Sequence, residues 1–363
     1  MDRKTKGYYA AFSQAPRIGP LRFSLLMDNF GSVQKAYEAP VIELEQVLDA
    51  RTVSEFVDFR DKFSIKARLE ECDDKGIHII PRHDPRFPQK LLNFKGHPIC
   101  FYAKGNLDSI NFNEDEFFAV VGTRAPSSYG MWLARTFTAD LARHFVIVSG
   151  MALGIDYIAH NAALEAGGRT VAFLGCGVDI PYPRENYRIY KRIVDGGGLV
   201  VSEFPPGMHT LKGNFVSRNR HISGLARGIF AVEGGSRSGT LISAGYAADQ
   251  GVDVFVAPMP LNSLRSEAPI QLYKQGANMI VSTADIFEYY GVKISPATGK
   301  VLDLESFAED EKKILVSLMG ESQRIDDIIV STSFSPSNVM NVLSMLEVKG
   351  VIEKNSDGRY AVA

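Results

Sequence analysis

The chain has almost no net charge, few cysteines and no long apolar run. Of its 363 residues, 40 are Lys or Arg and 42 are Asp or Glu, which leaves a formal charge of -2. That balance argues against a histone-like coating protein, so any nucleic-acid site must be a local concentration of Arg and Lys. The three cysteines, Cys72, Cys100 and Cys176, lie far apart in no CxxC and no His/Cys pairing. Neither a zinc site nor a disulfide framework follows, and buried reduced thiols in a cytoplasmic protein are expected. The opening MDRKTKGYYAAFSQAPRIG lacks an apolar signal core, and no run approaches a membrane span, so no membrane association is expected. Two nucleotide motifs are missing as well. There is no GxxxxGK followed by Ser or Thr, and Gly122-Thr123-Arg124-Ala125-Pro126 does not supply the GxGxxG of a dinucleotide fold. A P-loop ATPase and a dehydrogenase are both disfavoured, and no cofactor or metal is expected.

What is present is ordinary globular material: 45% hydrophobic and 23% charged, enough for two or three domains. Residues 1–80 read as a helical domain, with helices at Tyr8 to Gln14, Gly19 to Asn29, Ser32 to Ala36, Ile42 to Val47 and Thr52 to Lys75. Ile18-Gly19-Pro20, then Leu25-Leu26, then Phe30-Gly31-Ser32-Val33 resembles a helix-hairpin-helix, in which a glycine hairpin offers backbone N–H groups to a DNA phosphate. A small helical bundle whose Gly19 merely permits a turn fits the same residues. Prolines 81, 85, 88 and 98 break any helix over 81–116, which reads as a linker with a short edge strand at Ile99 to Ala103.

From Phe117 the pattern becomes apolar runs of strand length alternating with amphipathic helices. The strands are Phe117 to Gly122, Val146 to Gly150, Thr170 to Gly175, Leu199 to Glu203, Ile229 to Glu233 and Val252 to Pro258. Such near-continuous runs, buried on both faces, predict a doubly wound, Rossmann-like parallel α/β sheet over 117–290. Small residues recur at four strand ends: Gly122-Thr123-Arg124, Ser149-Gly150, Gly175-Cys176-Gly177, and Gly234 to Thr240. The carboxyl ends of parallel strands form one rim, where ligands bind. On that rim backbone N–H groups at Ser238, Gly239 and Thr240 are expected to cradle phosphate, with Arg124, Arg218, Arg220 and Arg237 adding charge and Asn219 reaching sugar or base. Phe204, Phe215 and Tyr129 are the aromatics expected nearest to stacked bases. His160 and Asp156, four apart on one helix, predict a structural pair, and His221 either stacks on a base or packs. Glu203 and Glu233 end strands, where loop capping is favoured over a shared metal.

Residues 291–307 read as a linker. Over 308–363, helices at Glu309 to Met319, Ile325 to Ser331 and Ser335 to Lys349 precede a terminal hairpin, which looks like a winged helix. From Ala308 onward six basic residues face nine acidic ones, and the third helix offers Asn338, Asn341 and Ser344 in place of arginine, so contact with protein is favoured over DNA reading.

Several of these segments together resemble the DNA-processing protein A family, also called Smf. The residues are Val121 to Arg124, Ser127 to Gly130, Val148 to Asp156 with Ala159-His160, Gly175 to Asp179 with Tyr182-Pro183, Ser202-Glu203, Arg218-Asn219-Arg220 and Ser238 to Ala244. The resemblance implies a protein that is not an enzyme but binds incoming single-stranded DNA in natural transformation, shields it, helps load the RecA recombinase and pairs as a homodimer. The family's common form has arginine where Leu153 stands, and Pro258 to Pro269 lacks the family's usual Pro-Gly. The rival is a nucleotide phosphoribohydrolase of the lysine-decarboxylase-like type, whose GGxGTxxE loop is echoed by Gly234-Gly235 and Gly239-Thr240. Here Ser243 stands where its catalytic glutamate would be.

Overall fold

A computed structural model describes residues 1–94, 96–292, 307–318, 322–355 and 358–362. The chain divides into two compact units, Met1–Pro126 with Leu133–Ile286, and Ser127–Trp132 with Phe287–Ala363.

In the larger unit six helices come first: α1 (Arg3–Phe12), α2 (Pro20–Phe30), α3 (Val33–Glu38), α4 (Val41–Leu44), α5 (Ala50–Lys62) and α6 (Ile65–Asp74). The single helix expected from Thr52 to Lys75 is two. Phe63 is extended, and the Ser64 side chain accepts from Ala67 N, capping a fresh helix start. Strands β1 (Ile77–Pro81) and β2 (Cys100–Gly105) follow. The strand expected at Ile99 to Ala103 is present as β2, but it is not an edge: it pairs antiparallel with β1 on one side and with β6 (Leu199–Ser202) on the other.

The remaining strands are β3 (Phe117–Val121), β4 (Val146–Ser149), β5 (Thr170–Phe173), β7 (Gly228–Ala231), β8 (Asp253–Val256) and the short β9 (Asn278–Met279). The order is β1-β2-β6-β5-β4-β3-β7-β8-β9, with every pair from β6 to β9 parallel. The intervening helices are α7 (Ser128–Leu141), α8 (Ile155–Glu165), α9 (Tyr187–Asp195), α10 (Lys212–Leu225), α11 (Gly239–Asp249), α12 (Glu267–Lys274) and α13 (Thr283–Tyr289). The direction of winding reverses between β3 and β7, so the loops leaving these neighbours flank the crevice that parallel sheets use for ligands.

Alternation along the strands divides the core. Ala172 and Val200 face one layer together with Leu174, Ile189 and Ile193, and this layer is continuous with Phe12, Phe23, Tyr37 and Phe56 of the first helices. Val171, Phe173, Leu199 and Val201 face the other, with Ile222 and Leu225 of α10. The first helices thus share a core with the sheet.

The smaller unit holds α14 (Glu309–Leu318), α15 (Ile325–Thr332), α16 (Pro336–Val348) and the antiparallel pair β10 (Ile352–Lys354) and β11 (Tyr360–Val362). Ile314, Leu315, Ile328, Val339, Leu343 and Tyr360 form its core. Most of the linker expected at 291–307 lies outside the described residues.

Candidate nucleic-acid interface

The rim is continuous because its loops bond to one another. Val232 N donates to Val121 O at 3.0 Å, Ile155 N to Thr123 O at 3.2 Å, and Gly177 N to Met208 O at 2.9 Å. Gly154, at φ +77, is the required hinge: its conformation suits glycine, and a Cβ there would collide with the carbonyl of Thr123. The side chain of Asn186 donates to the carbonyls of Met151 and Ala152 at 2.8 and 3.1 Å, fixing the loop after β4.

The arginines part company. Residues two apart on a helix point to nearly opposite sides, and α10 carries Arg218 and Arg220 in that relation. Arg218 is 4% exposed, and its guanidinium donates to the carbonyls of Gly150 and Phe173. A Cβ at Gly150 would occupy the space of that guanidinium, so the glycine serves an internal contact. Burial lowers the Arg218 pKa to about 10, which still leaves it charged at neutral pH. Burial likewise raises the buried carboxyl of Asp156, against the opposing field of Arg218. The expectation that Arg218 faces a phosphate is corrected: the side chain is buried and its Nη1 is held by two backbone carbonyls. Arg220 is half-buried and donates to Glu203 Oε2 at 2.7 Å, while His221 Nε2 lies 3.1 Å from Glu203 Oε1. Burial pushes Glu203 up, yet His221 and Arg220 outweigh it and hold the carboxyl at about 2. Glu203 thus serves an internal ion pair, and the buried His221 packs edge-on against Phe101.

The other expected contacts sort by exposure. Ser149 is buried and donates to Val120 O at 2.7 Å, and Thr240 is buried and donates to Glu233 O at 3.0 Å. Gly175 and Gly177 are buried, the first against the ring of Phe215, the second against Asp179 and Pro205. Gly122 meets Ile155 of α8. These six residues, counting Gly150, shape the rim from inside. Arg124, Arg237 and Gly239 are exposed, and Thr123, Asn219 and Ser238 half-exposed. The loop after β7 also meets an internal carboxylate: Ser236 N donates to Glu267 Oε2 at 2.7 Å. Of the stretch Gly234 to Thr240 where an anion cradle is expected, the Ser236 N–H is thus already taken.

Around Arg124 the surface is suited to an unpaired nucleotide. Its guanidinium stands 5.8 Å over the ring of Phe215, and Phe215 packs 5.4 Å from Tyr182, which is 42% exposed. The guanidinium lies over one face of Phe215, and the partly exposed ring of Tyr182 adjoins it. Phe215 was anticipated and Tyr182 was not, although it lies in the recognisable Tyr182-Pro183 pair. Arg265 was missed altogether. It is exposed, donates from Nε to Ala125 O at 2.6 Å, and no pattern in Pro258 to Pro269 signals it.

His160 does not pair with Asp156. Its Nδ1 lies 2.7 Å from Thr170 Oγ1, which itself donates to Ile147 O. Burial, then the charge of Arg218, pushes the imidazole down to about 3. The unfolded chain therefore takes up this proton first, so the contribution to stability is full above about pH 6.5 and is lost as pH falls toward about 3, at up to about 1.4 kcal/mol per pH unit. Urea-unfolding free energies measured from about pH 7 to about pH 4 are expected to lose that slope in His160→Gln, and an unchanged slope assigns it to another group.

The chain is similar to Protein Smf of Escherichia coli strain K12, 38% identical over 258 residues, 70% of this chain and 68% of the relative. It is similar to the DNA processing protein DprA of Bacillus subtilis strain 168, 35% identical over 254 residues, 69% of this chain and 84% of the relative. Among solved structures it is similar to DNA processing protein A from Streptococcus pneumoniae, with TM-score 0.68 and 31% identity over 78% of this chain and 97% of the other. A second, from Helicobacter pylori, was described for its single-stranded DNA binding mode; its TM-score is 0.53 at 28% identity, over 59% of this chain and 95% of the other. The pattern of DNA recombination-mediator protein A matches residues 78–291, from the first antiparallel strand through every rim loop, and the chain belongs to that family.

Proposed function

We propose that this protein binds single-stranded DNA without regard to sequence, protects it, and hands it to the RecA recombinase during natural transformation, without breaking a bond. The observation that carries the reading is the exposed Arg124 beside Phe215 and Tyr182 on the rim at the β3/β7 reversal. A guanidinium holds phosphate in any sequence context, and aromatic faces accept any base once it is unstacked. The Helicobacter pylori relative, whose binding of single strands is named in its description, supports the choice of ligand. Against the phosphoribohydrolase reading, Ser243 offers only a hydroxyl, which donates to Gly239 O at 3.1 Å.

In this proposal the protein acts as a cytoplasmic homodimer. Residues 1–80 are a sterile-alpha-motif or helix-hairpin-helix-like domain, and the smaller unit is a winged helix used for protein contact. Met340, Met345 and Val348 stand exposed on α16, and Asn338 donates to Asp310 at 3.0 Å, which favours a protein over a base edge. Around the α2 turn, Arg17 and Arg22 lie 3.8 and 3.2 Å from Glu55 and Asp49, which favours support over phosphate contact.

The test compares single-stranded with duplex DNA in gel shifts over a salt series. Single strands of unrelated sequence are expected to bind equally and above duplex, with log affinity falling linearly in log salt at about 0.7 per phosphate contact. Preference for duplex, or release of base from nucleoside monophosphates, overturns the proposal.

A further inference from the structure

Away from the rim loops, α9 borders a groove of about 720 Å³ whose far wall is the end of α8 and the turn after it. Tyr187, Arg188, Lys191 and Arg192 line it, and all are exposed. Their spacing puts them on the outward side of α9, because Ile189, Tyr190 and Ile193 take the core side. The opposite wall is low: Leu164, then Gly167 and Gly168, the first of these glycines with open space where a side chain would be. Charge on the helix and its leading turn is basic on balance, Arg184, Arg188, Lys191 and Arg192 against Glu185 and Asp195. The acids restrain it weakly, since Lys191 and Asp195 approach only to 4.0 Å with both side chains mostly exposed, while Arg192 donates to the amide oxygen of Asn161.

Along the chain, α9 directly follows residues of the rim. Tyr182 belongs to the aromatic pair at the rim, Asn186 holds the loop after β4, and Tyr187, half-exposed, opens α9. From Tyr187 to Asp195 α9 advances about 12 Å at the helical rise, room for a few phosphates of one strand. We propose that α9 is a second track for the same ligand: a single DNA strand leaving Arg124, Phe215 and Tyr182 turns down the outside of the sheet, with one base against Tyr187 and its following phosphates on Arg188 and Lys191. The inference rests on the single-strand reading above and adds a direction and a length to it. An acidic protein segment fits the charge equally, but gives no role to the exposed aromatic ring of Tyr187 that opens α9.

The experiment uses the full-length protein and fluorescent oligothymidylates of increasing length, with wild type, Arg124→Ala and the double variant Arg188→Gln with Lys191→Gln. The side chains of Arg188 and Lys191 are exposed, so the double variant is expected to fold as the wild type does, checked by its melting temperature. For wild type, affinity is expected to rise with length beyond what the rim alone covers. In the double variant short oligomers are expected to bind as wild type, while the gain with length is lost, about tenfold or more, and the salt slope on long oligomers drops by about 1.4 for two contacts. Equal losses at every length, or none, overturn the second track. Failure of wild type to bind any oligomer, or an unaffected Arg124→Ala, overturns the rim reading instead. Loss of binding to an acidic peptide with the DNA length series intact reassigns the groove to a protein.

Discussion

Arg124→Ala is expected to lower affinity for single-stranded DNA about ten- to a hundredfold at moderate salt, since a hydrogen bond to a charged partner contributes roughly 1.5 to 3 kcal/mol. The slope of log affinity against log salt is expected to fall by about 0.7, the release of one counterion from a single strand. The melting temperature is expected to stay put, because Arg124 is exposed and its ring contact with Phe215 is a surface one. Phe215→Ala probes the other half of the platform, with about 1 to 3 kcal/mol at stake for a stacked base and no change in salt slope. Filter binding at several salt concentrations reads both. If Arg124→Ala bound DNA with unchanged affinity at every salt, the phosphate assignment would be lost.

Arg218→Ala is expected to behave in the opposite way, destabilising the fold by about 3 to 5 kcal/mol, because it strips the cation from a buried site that also holds a carboxylate. Asp156 would stay buried without its nearest compensating charge, and the carbonyls of Gly150 and Phe173 would lose their donor. Arg218→Lys separates charge from shape, since both carbonyls accept from the one nitrogen Nη1 and an ammonium also carries more than one donor. Arg218→Ala is expected to lose DNA binding through loss of the folded rim. Chemical denaturation separates the cases: an Arg218→Ala protein as stable as wild type yet unable to bind DNA would return this residue to the ligand.

The two arginines show how far the site can be read from the chain alone. The strands announce themselves, since five-residue runs such as Phe117 to Val121 are buried on both faces and admit little else. Their loops follow, because a parallel sheet puts all its carboxyl ends on one side. What the string of letters hides is direction. Arg218 and Arg220 look like one cluster when written side by side, but on α10 the helical turn sends one inward and the other toward Glu203. Glycine is equally two-faced: Gly150 reads as an opening for phosphate, whereas the space it leaves is filled by Arg218. β1 escaped notice because its partner β2 arrives some twenty residues later, and long-range pairing leaves no local periodicity. Arg265 escaped because an irregular segment carries it.

The first helices reach the rim through two polar contacts as well as a common interior. Lys75 Nζ donates to Asp179 Oδ2 at 2.7 Å, Asp179 Oδ1 accepts from Gly207 N at 2.9 Å, and Arg68 donates to Pro206 O at 3.2 Å. The recurring family pattern starts at residue 78, which invites cutting the chain there as if tandem modules met at a hinge. Such a cut would bare Ile79, Cys100 and Tyr102 to water and take the Lys75 contact away from Asp179. A truncated protein would then clump and fail to bind DNA for reasons unrelated to any contact made by the missing part, so what the leading helices do is better learned from point changes than from amputation.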